Sequence, residues 1–398
     1  MKKKSSLFLL LAILLVTNLT SYTMGRSLSG RNSAVLSKNG ELDNEQKRRL
    51  LFLENYINEN YLRDVDQQEL YTGQLKGMVS ALDDPYSEYL TEIEFNELME
   101  DTSGKFFGIG VYINSQDGFV TVVAPIRNTP AEKAGLLPKD RILKVDGVEL
   151  SGDDASEASK LIRGKRGTPV TLTVMRMENE KPKTFDIDVM RDEITVVTVE
   201  SEVIKDNILY ISISQFNENT HKEFVEATKK IDRNVKGIIL DLRSNPGGLM
   251  DVCADIADML LPEGLIYYTE IKGGVRSDEG YSDKAMIDLP LVTLINGGTA
   301  SASEIVSGAL KDYGRTILIG EKTFGKGVVQ SINRFSTKDG IKLTISEYFT
   351  PKGNTVHKVG IEPDIEIKLN DPTLIIGLEN IDKDNQLQRA IEELNKKF

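Results

Sequence analysis

Two short stretches of this sequence carry residue types that could break a covalent bond. The first is GGTASASEI, residues 297–305, in which Ser301 stands at the start of a helical pattern. A serine there, with Glu304 three residues on, is most commonly a capping box. The same position leaves the N–H of Ala302 without an intrahelical acceptor, where it can stabilise an oxyanion developing beside a serine nucleophile, assisted by the helix dipole. The second is GEKTFGKGVVQ, residues 320–330. Gly320, Gly325 and Lys326 match most of a phosphate-binding loop, but Gly327 stands where that loop needs a Ser or Thr for magnesium. The alternative is a neutral Lys326 that takes a proton from a hydroxyl. Lowering a lysine pKa from about 10.4 to about 7 costs roughly 4–5 kcal/mol, which burial beside Phe324, Val328 and Val329 can impose.

Other chemistries have few residues to work with. The chain has one cysteine, Cys253, among apolar helical positions, and only two histidines, His221 and His357. A thiol mechanism and a histidine-rich metal site are therefore not expected, and no cofactor is implied. No G-x-S-x-G elbow is present. A net charge of −12 over 398 residues offers no basic surface for nucleic acid. Close to an oxyanion there is one further donor candidate, Gly247 or Gly248 of SNPGG, whose bare backbone N–H can approach a ligand without a Cβ in the way.

These residues need elements to hold them. VKGIILDLR and LPLVTLING read as buried strands, each ending in a glycine turn that opens a helix, and sites gather at such strand ends in α/β folds. Residues 193–370 form this α/β part. Asp241 and Arg243 at one strand end are expected to organise the turn, and Ser303 to be a polar residue of the first helical turn. Ahead of it, residues 41–100 show helical periodicity broken at DDPYSEYL, with a further short helix around residues 92–99. From residue 101 to 192 the period changes to two, placing Phe107, Ile109, Val111 and Ile113 on one face. A hairpin turn at Asp146–Gly147 and helices at PAEKAGL and ASEASKLIRG complete a β-rich module. Residues 1–22 place three lysines before an apolar run, the pattern of an export signal or signal anchor. Residues 23–40 read as a linker and 371–398 as a C-terminal helical segment.

AEKAGLLPKDRILKVDGVEL, in that strand and helix order, resembles a PDZ domain. The expected ligand is a free polypeptide C-terminus, added as a strand near residues 107–111 with its carboxylate met by backbone N–H groups of Phe107, Gly108, Ile109 and Gly110. DLRSNPGG, GGTASASEI and TFGKGVVQ, in order behind that module, closely resemble the carboxyl-terminal processing peptidases. The resemblance implies a Ser/Lys dyad with Ser301 as nucleophile, Lys326 as base and Gln330 orienting the lysine. It places the oxyanion hole at the N–H groups of Gly247 and Ala302, and Arg163 where the bound tail is sensed. His357 is taken as structural. If residues 326–330 were fully extended, Lys326 and Gln330 would stand about 13 Å apart, so pairing them needs a curl.

The implied fold is multidomain α/β: a mixed α/β protease core of the kind shared with Clp proteases and crotonases, an inserted PDZ-like domain, and helical terminal segments able to dimerise. The implied function is an exported serine endopeptidase, membrane-associated or secreted, acting on polypeptides with free C-termini, gated by the PDZ domain and open to a regulatory protein. The rivals are a PDZ scaffold with a dead protease domain and a nucleotide-binding protein.

Overall fold

The structure, a computed structural model, describes residues 43–126, 128–151, 154–178 and 181–398. The export signal expected at residues 1–22 and the linker at 23–40 lie outside them. Among the described residues no helix is long and apolar enough to cross a membrane. The chain divides after Leu75 into two compact units.

In the first unit the helix Asn44–Asn60 begins at a capping box, Asp43 with Gln46, and buries none of its residues. Its Leu50, Leu51, Phe52, Leu53 and Tyr56 are exposed.

The second unit is built on a six-stranded sheet. Its order is Val199–Ile204, Ile208–Ile213, Gly237–Asp241, Leu291–Ile295, Thr316–Gly320 and Ile365–Glu366, antiparallel at the first pair and parallel thereafter. The strands Gly237–Asp241 and Leu291–Ile295 are buried throughout because both sheet faces are covered. On one face Leu209, Ile211, Ile238, Leu240 and Leu318 pack with residues of the helices Thr220–Thr228, Met250–Asp258 and Ala302–Asp312. On the other, Tyr210, Ile239, Val292 and Ile319 meet Leu387, Ala390, Ile391 and Leu394 of the helix Asn385–Asn395. The C-terminal helix thus spends its apolar face on its own sheet.

A second, antiparallel sheet joins Glu88–Leu90, Gly340–Phe349, Gly264–Ile271 and Val275–Ser282, with Val328–Arg334 also paired to Gly340–Phe349. The strand Glu88–Leu90 lies in DDPYSEYL, where the helical periodicity of residues 41–100 is broken, and the sequence does not show it as a strand. Three residues are too few to show a period of two, and the partner strand lies some 250 residues on, so the pairing leaves no local trace.

The inserted module has its own sheet of Val111–Gln116, Phe119–Pro125, Arg141–Val145, Val148–Glu149, Pro169–Glu178 and Lys181–Met190, closed by the helix Ala155–Ile162 over a core that includes Val120, Ile142, Leu172 and Val189. Asp146 and Gly147 both take positive φ (49° and 80°), as a two-residue hairpin turn requires. A multidomain mixed α/β architecture with an inserted β-rich module is the class expected from the sequence.

Candidate active site

The strand Gly237–Asp241 ends in a buried ionic knot. The Asp241 carboxylate accepts the Arg243 N–H (3.0 Å) and its Nε (2.9 Å), while the guanidinium reaches on to Asp384 (2.8 and 3.0 Å) and to Gln386 (2.9 Å). Burial alone would lower the Arg243 pKa, but Asp241 and Asp384 outweigh it and hold the group charged. The turn that follows is shaped for close approach. A Cβ at Gly247 (φ 105°) would stand 2.7 Å from the Ser301 Cβ and 2.8 Å from the Ala300 carbonyl oxygen, and one at Gly248 (φ 142°) would stand 2.0 Å from the Phe216 carbonyl oxygen. The Gly247 N–H donates to the Asn245 side chain at 2.9 Å.

The neighbouring strand, Leu291–Ile295, ends beside that turn. The Asn296 side chain accepts the Ser244 N–H (2.8 Å), and the Thr299 hydroxyl donates to the Leu242 carbonyl (2.8 Å), lashing the two strand ends together. Ser301 then opens the helix Ala302–Asp312 with φ 53° and ψ −119°, a conformation that costs a serine on the order of 1–3 kcal/mol and persists only where surroundings enforce it. The capping relation expected from the sequence is present, the Glu304 carboxylate accepting the Ser301 N–H at 2.9 Å. Ser303 is fully buried and donates to the Asn245 carbonyl at 3.1 Å.

Lys326 follows the strand Thr316–Gly320, and the chain continues into the strand Val328–Arg334, not into the helix that a phosphate loop requires. The Gly325 and Lys326 N–H groups both donate to Glu304 at 2.8 Å. The Lys326 ammonium nitrogen sits 5.0 Å from the centre of the Tyr86 ring. Burial lowers the Lys326 pKa and the positive charge of Lys342 adds to this; Asp84 and Glu304 pull the other way without reversing it. The Gln330 amide donates to the Thr344 hydroxyl at 3.3 Å, across the strand pair and not to the lysine.

Ser301, Ala302, Gly247, Lys326 and Gln330 all line one cleft of about 420 Å³. Tyr86, Lys342 and Tyr348 share its wall. Tyr348 is buried, and its hydroxyl donates toward the carbonyls of Lys326 (2.9 Å) and Ser301 (3.1 Å). None of these three was singled out in the sequence, because their approach depends on how the antiparallel sheet lies against the parallel one; no motif flanks them. His357 contributes its backbone to the packing around Gly327, where an added Cβ would stand 2.3 Å from the His357 nitrogen. Cys253 is buried, which pushes its thiol pKa up.

A second groove, of about 180 Å³, lies in the inserted module and is lined by Gly108, Ile109, Gly110 and Arg163. Phe107 is outside it, and Phe106 takes its place, with the Arg163 guanidinium 5.0 Å from that ring. The strand Lys105–Gly108 stops before Gly110 (φ 78°) and a new strand begins at Val111, so the alternation does not run through from Phe107 to Ile113. Arg163 also faces Glu100 at 3.5 Å.

Three family models match the chain in order: "Activating protease CtpB N-terminal domain" over residues 15–93, "PDZ domain" over 108–189 and "Peptidase family S41" over 207–367. The carboxy-terminal processing protease CtpA of Bacillus subtilis is 36% identical over 373 residues, covering 93% of this chain and 79% of that protein. The carboxy-terminal-processing protease of Bartonella bacilliformis is 39% identical over 321 residues, covering 78% and 73%. Among solved structures, the photosystem II D1 C-terminal processing protease aligns with a TM-score of 0.51 at 29% identity, covering 86% of this chain and 92% of that one. With its PDZ domain set before an S41 core, this chain belongs to the carboxy-terminal processing proteases, a family of serine-type peptidases.

Proposed function

We propose that this chain is an exported endopeptidase that cuts polypeptides near their C-termini with Ser301 as nucleophile and Lys326 as general base. The carrying observation is that both side chains line one cleft in which burial depresses the lysine pKa. Neutral Lys326 takes the Ser301 hydroxyl proton as Oγ attacks the scissile carbonyl carbon. The carbonyl oxygen, now negative, is met by the N–H groups of Ala302 and Gly247. The C–N bond then breaks, the leaving amine takes the proton from the Lys326 ammonium, and water repeats the sequence on the acyl-enzyme. The Gly247 N–H is engaged by Asn245 at 2.9 Å, so it must exchange that acceptor for the oxyanion. Gln330 lies on the same wall, where it can steady the lysine once it leaves Thr344.

The PDZ groove takes the substrate tail and gates the cleft. A continuous set of contacts supports this. Arg163 faces Glu100, and Leu98, Asp101 and Thr102 of the same helix, Glu92–Ser103, line the catalytic cleft. The Thr102 carbonyl accepts the Glu218 N–H (3.3 Å), and in the same loop the Phe216 N–H donates to the Gly247 carbonyl (2.9 Å). Residues 1–22, with their lysines and apolar run, direct the rest of the chain across a membrane. Fractionating cells that carry the native chain or a form lacking residues 2–16 tests this: the native form is expected outside the cytoplasm, the shortened form inside.

The deciding experiment follows proteolysis of one unstructured peptide across pH by the native enzyme, Ser301→Ala, Lys326→Ala and Lys326→Arg. All three variants are expected to be nearly inactive, the arginine form because a guanidinium stays protonated. Substantial cleavage by Lys326→Arg would sink the Ser/Lys mechanism.

A further inference from the structure

We propose that Glu304 is the positioning residue of this peptidase, its buried carboxylate fastening the backbone of Ser301 to that of Lys326 and so setting the separation of nucleophile and base. This rests on the Ser301/Lys326 mechanism above. Glu304 is fully buried. One of its oxygens accepts the Ser301 N–H (2.9 Å) and the Lys326 N–H (2.8 Å); the other accepts the Gly325 N–H (2.8 Å) and the Thr323 hydroxyl. A helix cap needs only the first of these contacts. The other three belong to the loop that carries the lysine. All four partners donate, so the site calls for a group that only accepts, and among side chains that is an ionised carboxylate. Burial raises the pKa of this carboxyl, while its four donors pull against that. Tyr348 spans the same two segments through their carbonyls, so each is gripped both at an N–H and at a C=O.

The arrangement has an electrostatic signature. The charged groups facing Lys326 are Lys342, Asp84 and Glu304, beside the Tyr86 ring. The Glu304 charge favours the protonated lysine, which opposes its use as a base. Glu304→Gln removes that charge and turns one acceptor into a donor aimed at N–H groups. Position is lost, yet the remaining lysine is easier to deprotonate.

The full-length enzyme and its Glu304→Gln, Thr323→Val, Ser301→Ala and Lys326→Arg variants would be assayed on one peptide across pH, with kcat expressed per folded molecule. Glu304→Gln is expected to lose at least tenfold in kcat, keep KM within about twofold because Glu304 is not part of the cleft wall, and move the acid limb of kcat/KM to lower pH. A merely structural role would lower the folded fraction and leave kcat per folded molecule native. A native kcat per folded molecule, or a loss that falls on KM instead, would overturn the proposal. Should Glu304→Gln fold poorly or turn over too slowly to profile, Thr323→Val decides: it keeps the charge, removes one donor and is expected to lose severalfold in kcat, whereas native kcat would overturn the proposal. Cleavage by Lys326→Arg would instead overturn the dyad itself. A silent Lys326→Arg beside a native-like Glu304→Gln would overturn the positioning role alone.

Discussion

Lys326 shows how several opposed effects decide one protonation state. Desolvation is the largest influence and lowers its pKa, Lys342 lowers it further, and Asp84 and Glu304 raise it. A base must be neutral to act, so kcat/KM of the native enzyme is expected to fall as pH drops through the Lys326 pKa. Removing Lys342 takes away a charge that disfavours the ammonium form, so the pKa of Lys326 rises and the acid limb of Lys342→Met should move to higher pH. A pH–rate profile of that variant checks the sign. Ser303 tests the choice between two serines. It is buried away from the cleft, and its hydroxyl shares the Asn245 carbonyl with the Ala300 N–H at 3.0 Å. Ser303→Ala leaves that carbonyl one donor, so a stability loss of about 0.5–1.5 kcal/mol in urea unfolding is expected, with proteolysis retained. At this scale Ser301 and Lys326 were visible in the sequence because short motifs surround them. Tyr348 and Lys342 were not, since both lie on the strand Gly340–Phe349 and reach the cleft only through its pairing.

Among the elements, the two glycine turns are the least replaceable. A methyl at Gly247 would meet Ser301 and the Ala300 carbonyl well inside contact distance, at a φ that a side chain disfavours. Gly247→Ala is expected to cut kcat by roughly a hundredfold or more, as loss of an oxyanion donor does, while tail binding to the PDZ groove persists. A kcat near native would show that the N–H is not used. The helix Asn385–Asn395 is held by Leu387, Ala390, Ile391 and Leu394 on one side of the sheet and by Asp384, at its N-cap, through Arg243. Leu394→Ala removes a buried side chain and should cost about 2–5 kcal/mol. Asp384→Ala leaves Arg243 short of a partner in a dry site and should cost about 3–5 kcal/mol. Denaturant midpoints measure both. The helices and long strands were legible because each carries its own period; the three-residue strand Glu88–Leu90 carries none.

For the whole molecule, the tail sensing proposed above would run along the contacts from Arg163 through Glu100 to the cleft wall. Amidating the substrate's terminal carboxylate removes a full negative charge and is expected to slow cleavage by the native enzyme. Arg163→Ala and Glu100→Gln, which cut the contact without touching the catalytic residues, should shrink the difference between free-acid and amidated peptides. Equal turnover of both peptides by the native enzyme would refute tail sensing.

What the sequence determined by itself was whatever a few adjacent residues can encode: a glycine turn after an apolar strand, a serine at a helix start, a lysine between glycines, and a β-rich module inserted ahead of an α/β core. What only the tertiary structure decided was which of these meet. Phe106 and not Phe107 faces the PDZ groove, because a break at Gly110 resets the strand's alternation. The Gln330 amide bonds Thr344, because an irregular register at Val329–Gln330 sets where it points. Glu304 joins Ser301 to Lys326, because two loops separated by a helix and a strand fold over one carboxylate. The last two depend on which distant segments pair and pack, which local periodicity does not record.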